Sequence, residues 1–432
     1  MTASHEDQRL NLLTRLEWLQ MHGFVIDPFT AEAFQAETDS VLLSAFVDPP
    51  NYEDIRGKPD QPGYRFIFAS SGGGKSSLRR RIKQDFDDSL AQNLPGSPRV
   101  LTVEYIGHDY PLDEVDAHSH VARIVRLVAK ALEKWSVDAK IEVASKGSAC
   151  SSLRNTIAAC RSAGLDGVCI LIDNIDVQYD QGLQTAFSRI QQLAARYDVL
   201  SIENAVFKFM LPMKLLSLAR QRLPFNRFPF YMIRWDGGKL RTVLRQRLVT
   251  CSEEPSQDLQ SDPLSQLCDK TLSDTIGDSL TNFGSYTGHP RAMLQLGYYL
   301  LEEYFSQSEN NYRRSGAELI NRTALLGAHD RIIETTPVSI GVQVTSELEQ
   351  KIKHRIAGSR IEDALELFKE INEVTALLLQ SRMRHAEEDY SMGIITRHQC
   401  DVERNKVIET LLMRLAQNQN LDVGTCPPHM PV

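Results

Sequence analysis

The sequence is poor in cysteine and shows no pattern that would pair the cysteines it has. Seven are scattered over 432 residues, and no C-x-x-C pair occurs. An odd count at irregular spacing argues against both the disulfide framework of a small secreted domain and a zinc ribbon. Buried thiols in a reducing cytoplasm are therefore expected. No apolar run reaches about 18 residues and the N-terminus is polar, so neither a membrane span nor a signal peptide is predicted.

An excess of positive charge is also lacking. The chain carries 48 Lys and Arg against 56 Asp and Glu, a net charge of -8. Proteins dominated by nucleic-acid contacts are usually basic, so DNA binding is not favoured and would need a local basic patch. The apolar fraction of 42% and the charged fraction of 24% are typical of soluble globular proteins. The length predicts two or three domains.

Short β-rich apolar runs alternate with helical patterns in the first half of the chain. This alternation predicts an α/β fold with a parallel sheet covered on both faces. A helical lead-in is predicted before the first run, with a helical stretch over Ala31–Phe46. The five predicted strands are Tyr64–Phe68, Val100–Tyr105, Val168–Ile172, Val206–Met210 and Phe230–Ile233.

A glycine-rich loop follows the first predicted strand. Residues Ala69–Ser76 fit the pattern G-x-x-x-x-G-K-[ST], with alanine in the first position. Such a loop brings backbone N–H groups close to phosphates, the lysine reaches the β and γ phosphates, and the hydroxyl that follows helps to hold Mg²⁺. The sequence therefore predicts an ATP-Mg²⁺ site. Its phosphate-binding residues are Ser71, Gly72, Gly73, Gly74, Lys75, Ser76 and Ser77.

A carboxylate stands at the end of the third predicted strand. Asp173 follows the apolar run Val168–Ile172 and is the predicted second Mg²⁺ ligand beside Ser76. The next residue, Asn174, replaces the acid that usually orients the attacking water. Either Asp176 takes that role or hydrolysis is slow, which suits a switch better than a motor. The predicted enzyme is accordingly a slow ATPase with Asp173 and Asp176 as its catalytic residues.

Farther along, Gly288-His289-Pro290-Arg291 opens another predicted helix. Together with the phosphate loop, Asp173 and Trp235, this segment resembles the STAND and origin-recognition branch of AAA+ ATPases. The lead-in sequences Asp27-Pro28-Phe29 and Ala45-Phe46-Val47 resemble one bacterial group of that branch. The resemblance covers roughly residues 20–305. Ala69 and Asn174 depart from the family pattern, which puts hydrolysis in doubt more than nucleotide binding.

This resemblance implies a P-loop NTPase core with a helical lid, and roles for residues outside the loop. Pro290 would lie near the adenine, and Arg291 would sense the γ-phosphate. Such families assemble into homo-oligomers in which an arginine of a neighbouring subunit reaches the nucleotide. The candidates for that arginine finger are Arg220, Arg222 and Arg227, although surface charge is the simpler explanation of any single one. The run Arg79-Arg80-Arg81 is interpreted as a solvated or inter-subunit face, with a nucleic-acid role as the alternative.

The C-terminal region is predicted to be an all-α bundle. An amphipathic helix is expected to start at Ile361, within a helical stretch that runs on to about Tyr390, and Thr396-Arg397-His398-Gln399 fits a capping box for the next helix. The region resembles the effector-associated domains of bacterial conflict systems, which act as death-fold-like adaptors. The segments that carry this resemblance are 360–365, 380–382, 393–395 and 403–406. A bundle that only dimerises or packs on the lid is the alternative.

These observations predict a cytoplasmic, ATP-dependent signalling switch of a prokaryotic antiviral defence system. A trigger would drive oligomerisation, and residues 347–418 would recruit an effector protein. Two alternatives stay open: a DNA-associated AAA+ ATPase related to origin-binding or transposition regulators, and a scaffold whose nucleotide is structural. The predicted domains are a lead-in (1–62), the ATPase core (63–236), the lid (237–305), a connector or winged-helix remnant (306–346), the adaptor bundle (347–418) and a loose tail (419–432).

Overall fold

The computed structural model describes most of the chain and groups it into two compact units. The sheet unit comprises residues 32–250 and 288–291, and the helical unit comprises 1–31, 251–287 and 292–432. The described residues are 14–57, 63–92, 98–107, 116–135, 137, 149–174, 183–223, 230–253, 263–268, 270–287, 290–310, 319–335, 346–369, 373–391 and 396–420.

In the part of the chain that the structure describes, five parallel strands form the sheet, and all five were predicted from the sequence. Their bounds are β1 Gly63–Ala69, β2 Val100–Ile106, β3 Gly167–Asp173, β4 Ala205–Pro212 and β5 Phe230–Met232. The strand order is β2-β3-β4-β1-β5, so the strand that leads into the phosphate loop lies between β4 and β5. Parallel strands end at the same edge, which brings the ends of β1 and β3 to one side of the sheet.

The helices are numbered along the whole chain. They are α1 Arg15–Met21, α2 Tyr52–Arg56, α3 Lys75–Gln92, α4 Ala117–Lys134, α5 Ala149–Ser162, α6 Leu183–Ala194, α7 Tyr197–Leu200, α8 Leu216–Arg222, α9 Gly237–Cys251, α10 Lys270–Thr287, α11 Pro290–Asn310, α12 Arg322–Thr335, α13 Ser346–Ala357, α14 Ile361–Lys369, α15 Glu373–Ser391 and α16 Arg397–Asn420.

Each face of the sheet is covered by its own apolar cluster. Side chains alternate along a strand, so Phe66 and Phe68 of β1 join the cluster under α4, α5 and α6, whereas Ile67 joins the cluster under α2 and α3. The rings of Phe66 and Phe209 stack with their centroids 4.6 Å apart. Burial on both faces explains why the strands read as continuous apolar runs.

One helix prediction was wrong. Residues Ala31–Phe46 form a short 3-10 turn, Ala31–Phe34, followed by irregular turns. Side chains there bond to the local backbone: Asp39 accepts from Val41 N at 3.2 Å, and Thr38 donates to Glu32 O at 2.8 Å. Such bonds compete with the backbone hydrogen bonds that an α-helix would form. The helical stretch predicted from Ile361 to about Tyr390 corresponds to α14 and α15, and residues 370–372 lie outside the described residues.

The helical unit packs α13 on α14, α14 on α15 and α15 on α16, and α15 also contacts α10 and α12. Arg382 on α15 is buried and binds Asp330 of α12 and, at 2.7 Å, Glu403 of α16. The capping box predicted for α16 is confirmed, with Thr396 N donating to Gln399 Oε1 at 2.8 Å. Among the described helices, none combines the length and apolar character needed to cross a membrane.

The lead-in is shared between the two units. Residues 14–31 belong to the helical unit, where Arg15 binds Asp27 at 2.6 Å and Phe29 packs on α11. A Cβ at Gly297 would lie 2.5 Å from the Phe29 ring, so this contact requires glycine. Residues 32–57 belong to the sheet unit. The compact units therefore divide the chain at points other than the predicted domain boundaries, which remain a prediction.

Candidate functional site

The phosphate loop joins β1 to α3 in a conformation that depends on glycine. Gly72 and Gly74 have φ angles of 75° and 92°, in the region that side chains with a Cβ rarely adopt. A Cβ on Gly73 would lie 3.1 Å from the Cβ of Ala69 and 3.0 Å from Ser70 O. Alanine in the first motif position is therefore accommodated because residue 73 has no side chain.

Trp235 packs against this loop. Its indole Nε1 donates a hydrogen bond to Gly73 O at 3.0 Å, and its ring lies 3.8 Å from the position of a Cβ on Gly74. Trp235 follows β5, so the contact joins the loop to the strand that neighbours β1. The loop is thus held by a half-buried aromatic side chain as well as by its own turn.

Lys75 is the first residue of α3, and the first N–H groups of a helix attract anions. Its ammonium donates to two main-chain carbonyls of the loop, Ser70 O at 3.2 Å and Ala69 O at 3.4 Å. The amine therefore lies over the loop that would surround the phosphates. Ser71 is exposed, whereas Ser76 and Ser77 are half-buried in the first turn of α3.

Asp173 ends β3 and is buried, with a relative exposure of 1%. The Ser76 hydroxyl and the Asn174 N–H lie close enough to the carboxylate to favour its charged form, and its Oδ2 lies 3.0 Å from Arg79. Burial raises the pKa of the Asp173 carboxyl, and the Arg79 guanidinium is the main opposing influence. The two side chains predicted to hold Mg²⁺, Ser76 and Asp173, thus lie close together.

Asn174 has a physical reason to be asparagine. Its φ of 58° lies in the left-handed region, where asparagine is tolerated far better than most residues. Its carbonyl oxygen would lie 2.5 Å from a Cβ on Gly107, which follows β2. The chain therefore turns sharply as it leaves β3, against the end of the neighbouring strand. Asp176, the other predicted catalytic carboxylate, lies outside the described residues.

The remaining predicted residues are placed in part. Pro290 and Arg291 open α11, are half-buried, and belong to the same compact unit as the phosphate loop. Arg220 and Arg222 are exposed on α8, where Arg222 contacts Gln191 Oε1 of α6 at 3.2 Å. Arg227 lies outside the described residues. The roles of these five residues remain predictions.

Sequence reasoning missed the surroundings of Asp173. Arg79 was interpreted as part of a solvated or inter-subunit run, Arg79-Arg80-Arg81, whereas its side chain is 4% exposed. It binds Glu37 and Glu104 as well as Asp173. One signal was present in the sequence: Glu104 stands inside an apolar strand, and a charged residue there needs a buried partner.

The residues present fit ATP and Mg²⁺. Phosphate oxygens would be bound by three features: the loop backbone, which Cβ atoms would obstruct, the amine of Lys75 and the N-terminus of α3. The hydroxyl of Ser76 and the carboxylate of Asp173 are the hard oxygen ligands that Mg²⁺ prefers. The sheet unit has a P-loop NTPase fold, in which a parallel sheet carries this loop and an acidic strand end at one edge.

No protein-family model and no curated protein matches this sequence. Several solved structures are similar over 88% of the chain. They are the Aeropyrum pernix ORC2 protein in its ADPNP-ADP complexes (13% identity, 99% of that chain, TM-score 0.42), the same protein in its ADP form (14%, 93%, 0.37) and Drosophila ORC bound to DNA (12%, 84%, 0.38). Similarity at these identities and TM-scores carries no argument about function.

Proposed function

We propose that this protein binds ATP with Mg²⁺ at the phosphate loop and acts as a nucleotide-controlled switch that hydrolyses ATP slowly. The observation that carries the proposal is the placing of the Ser76 hydroxyl close to the buried carboxylate of Asp173, beside a glycine-dependent loop. The loop N–H groups and Lys75 would bind the phosphates, and Ser76 and Asp173 would hold Mg²⁺. Asn174 cannot take a proton from water, which supports slow turnover.

Binding is tested by Lys75→Ala in the full-length protein. The substitution removes the charge that neutralises the phosphates, so ATP binding should be abolished. The fluorescence of Trp235, which contacts Gly73, would report binding, with calorimetry as a second measurement. Lys83→Ala is the matched control, because Lys83 lies on the same helix and pairs with Asp87 instead. Micromolar affinity in Lys75→Ala would refute the site.

The output that we propose is signalling through the C-terminal bundle. A trigger together with ATP would drive assembly into homo-oligomers, and clustered bundles would recruit an effector protein, as in antiviral defence systems. Two features support an interaction surface: Tyr390 and Met413 are exposed, and a groove of about 340 Å³ runs beside Tyr390, Arg397 and Cys400. An exposed aromatic side chain beside a groove, here Tyr390, favours a protein partner.

This output is tested in the full chain, because α15 packs on α10 and α12 and removal of the bundle would expose both contacts. Tyr390→Ala should weaken effector recruitment in a pull-down while ATP binding stays intact. Tyr197→Ala is the matched control, since Tyr197 is similarly exposed but lies on α7 of the sheet unit. Equal recovery of the effector by both variants would contradict the role of this surface.

A DNA-associated AAA+ ATPase is the second candidate, and helix α9 supports it. This helix carries Lys239, Arg241, Arg245 and Arg247 and contains no acidic residue, and the first two are exposed. Lys239→Glu combined with Arg241→Glu should then weaken DNA binding and reduce its salt dependence. The affinity for labelled DNA is measured by fluorescence anisotropy over a series of salt concentrations. If the wild-type protein shows no measurable affinity for DNA, the DNA-associated ATPase is excluded.

A further inference from the structure

Arg79 contacts three carboxylates from three separate parts of the sheet unit. Its guanidinium lies 3.0 Å from Asp173 at the end of β3, 2.9 Å from Glu104 on β2 and 2.9 Å from Glu37 in the lead-in. Each contact uses a different nitrogen: the two terminal nitrogens donate hydrogen bonds to Asp173 and Glu37, and Nε forms an ion pair with Glu104 that lacks hydrogen-bond geometry. The side chain is 4% exposed, which leaves it no alternative partner in solvent.

The helix places this guanidinium directly below the phosphate loop. Arg79 follows Lys75 by four residues on α3, so both side chains project from the same face of the helix. Glu104 stands opposite Leu171 in the parallel register, two residues before the level of Asp173. Helix α3 and strands β2 and β3 therefore converge on one arginine, and Glu37 closes the cluster from the lead-in.

We propose that Arg79 is a positioning residue for the metal carboxylate. By binding Oδ2, it fixes the orientation in which Asp173 meets Ser76, and Glu104 and Glu37 fix Arg79 in turn. The formal charges agree with this role, because one guanidinium among three carboxylates leaves a charge of -2, which a divalent cation balances. This inference rests on the proposed ATP-Mg²⁺ site and adds a residue outside the motif that defines the site.

The test is a Mg²⁺ titration of full-length variants. Arg79→Gln should raise the Mg²⁺ concentration that half-saturates ATP hydrolysis by about 10- to 100-fold, as is typical for partners of metal ligands. The affinity for ATP measured in EDTA should stay near the wild-type value, since the side-chain contacts of Arg79 go to Asp173, Glu104 and Glu37 and not to the phosphate loop. If Arg79 had a merely structural role, the substitution would weaken the affinity for Mg²⁺ and the affinity for ATP together, or would leave both unchanged.

Two further variants keep the test decisive if Arg79→Gln does not fold. Arg79→Lys keeps the positive charge but removes the planar guanidinium that binds several carboxylates at once. Glu104→Gln leaves Arg79 bound to Asp173 but weakens the ion pair that holds Arg79 in place. Both should shift Mg²⁺ half-saturation in the same direction as Arg79→Gln, but by less. Lys83→Gln is the matched control, because Lys83 is one turn away on α3 and pairs with Asp87 of the same helix.

The outcomes separate this inference from the proposed function. Unchanged Mg²⁺ half-saturation in the Arg79 variants, with ATP binding intact, would overturn the positioning role alone. Tighter Mg²⁺ binding would overturn it as well, because it would show that Arg79 competes with the metal for Asp173. No ATP binding by the wild-type protein would instead refute the proposed function.

Discussion

Lys208 lies at the centre of the sheet, and its environment predicts an unusual pH dependence of stability. The residue is on β4, is fully buried, and donates from Nζ to Ile55 O of α2 at 2.6 Å. Burial lowers the pKa of the Lys208 ammonium from 10.5 to about 7. The proton is therefore held more weakly in the folded protein than in the unfolded chain.

The sign and size of the effect follow from linkage. Between pH 7 and about 10.5 the unfolded chain binds a proton that the folded protein has released, so the free energy of unfolding rises with pH. At about 1.4 kcal/mol for each unit of pKa difference, the contribution of Lys208 grows by about 2 kcal/mol between pH 7 and pH 9. Below pH 7 Lys208 is protonated in both states, so the cost of burying its charge lowers the free energy of unfolding by the full amount.

The measurement is urea unfolding of the wild type and of Lys208→Met at pH 7 and at pH 9. Methionine has a similar volume and no titrating group, so only the wild type should gain the extra stability at pH 9. Lys214→Met, at an exposed position just after β4, is the matched control and should follow the wild type. Parallel pH profiles for the wild type and Lys208→Met would refute the reasoning.

Two further predictions concern the lead-in and the end of β3. Asp39 and Arg247 form a buried pair with contacts of 2.7 and 3.1 Å, so Asp39→Ala should lower the free energy of unfolding by about 3–5 kcal/mol. Asp48→Ala, at an exposed position, is the control and should lower the free energy of unfolding in urea far less. Equal losses of stability in the two variants would contradict the importance of the Asp39–Arg247 pair. In a steady-state phosphate-release assay, the wild-type protein should hydrolyse ATP at less than about one turnover per second, whereas a typical enzyme reaches about ten. Asn174→Glu should raise this rate, because glutamate can accept a proton from the attacking water. A wild-type rate of tens per second would refute slow turnover.

The strands and the phosphate loop were predictable because their signals are local. An apolar run of five to seven residues buried on both faces reads as a strand from composition alone, and glycines before Lys75 mark the loop wherever it stands in the fold. Asp173 was identifiable for the same reason, since it ends such a run. The strand order was not predictable, because adjacency in the sheet depends on pairings between distant segments.

The lead-in shows where local reasoning fails. Ala31–Phe46 has the composition of a helix, yet Asp39 bonds to the backbone two residues on and binds Arg247, which lies 208 residues away. A tertiary ion pair of this kind overrides a weak helical propensity. Similarly, the Arg79-Arg80-Arg81 run looked like a solvated face because the sequence alone does not show which cations meet carboxylates.

The sequence by itself determined the parallel sheet, the loop with Lys75 and Ser76, and the acid at the end of β3, because each depends on residues that are neighbours in the chain. Only the tertiary structure decided that Arg79 binds Asp173, that Trp235 supports Gly73, and that Lys208 is buried. Those contacts join residues 94, 162 and 153 positions apart. Their formation depends on how strands are ordered and packed, which no local pattern encodes.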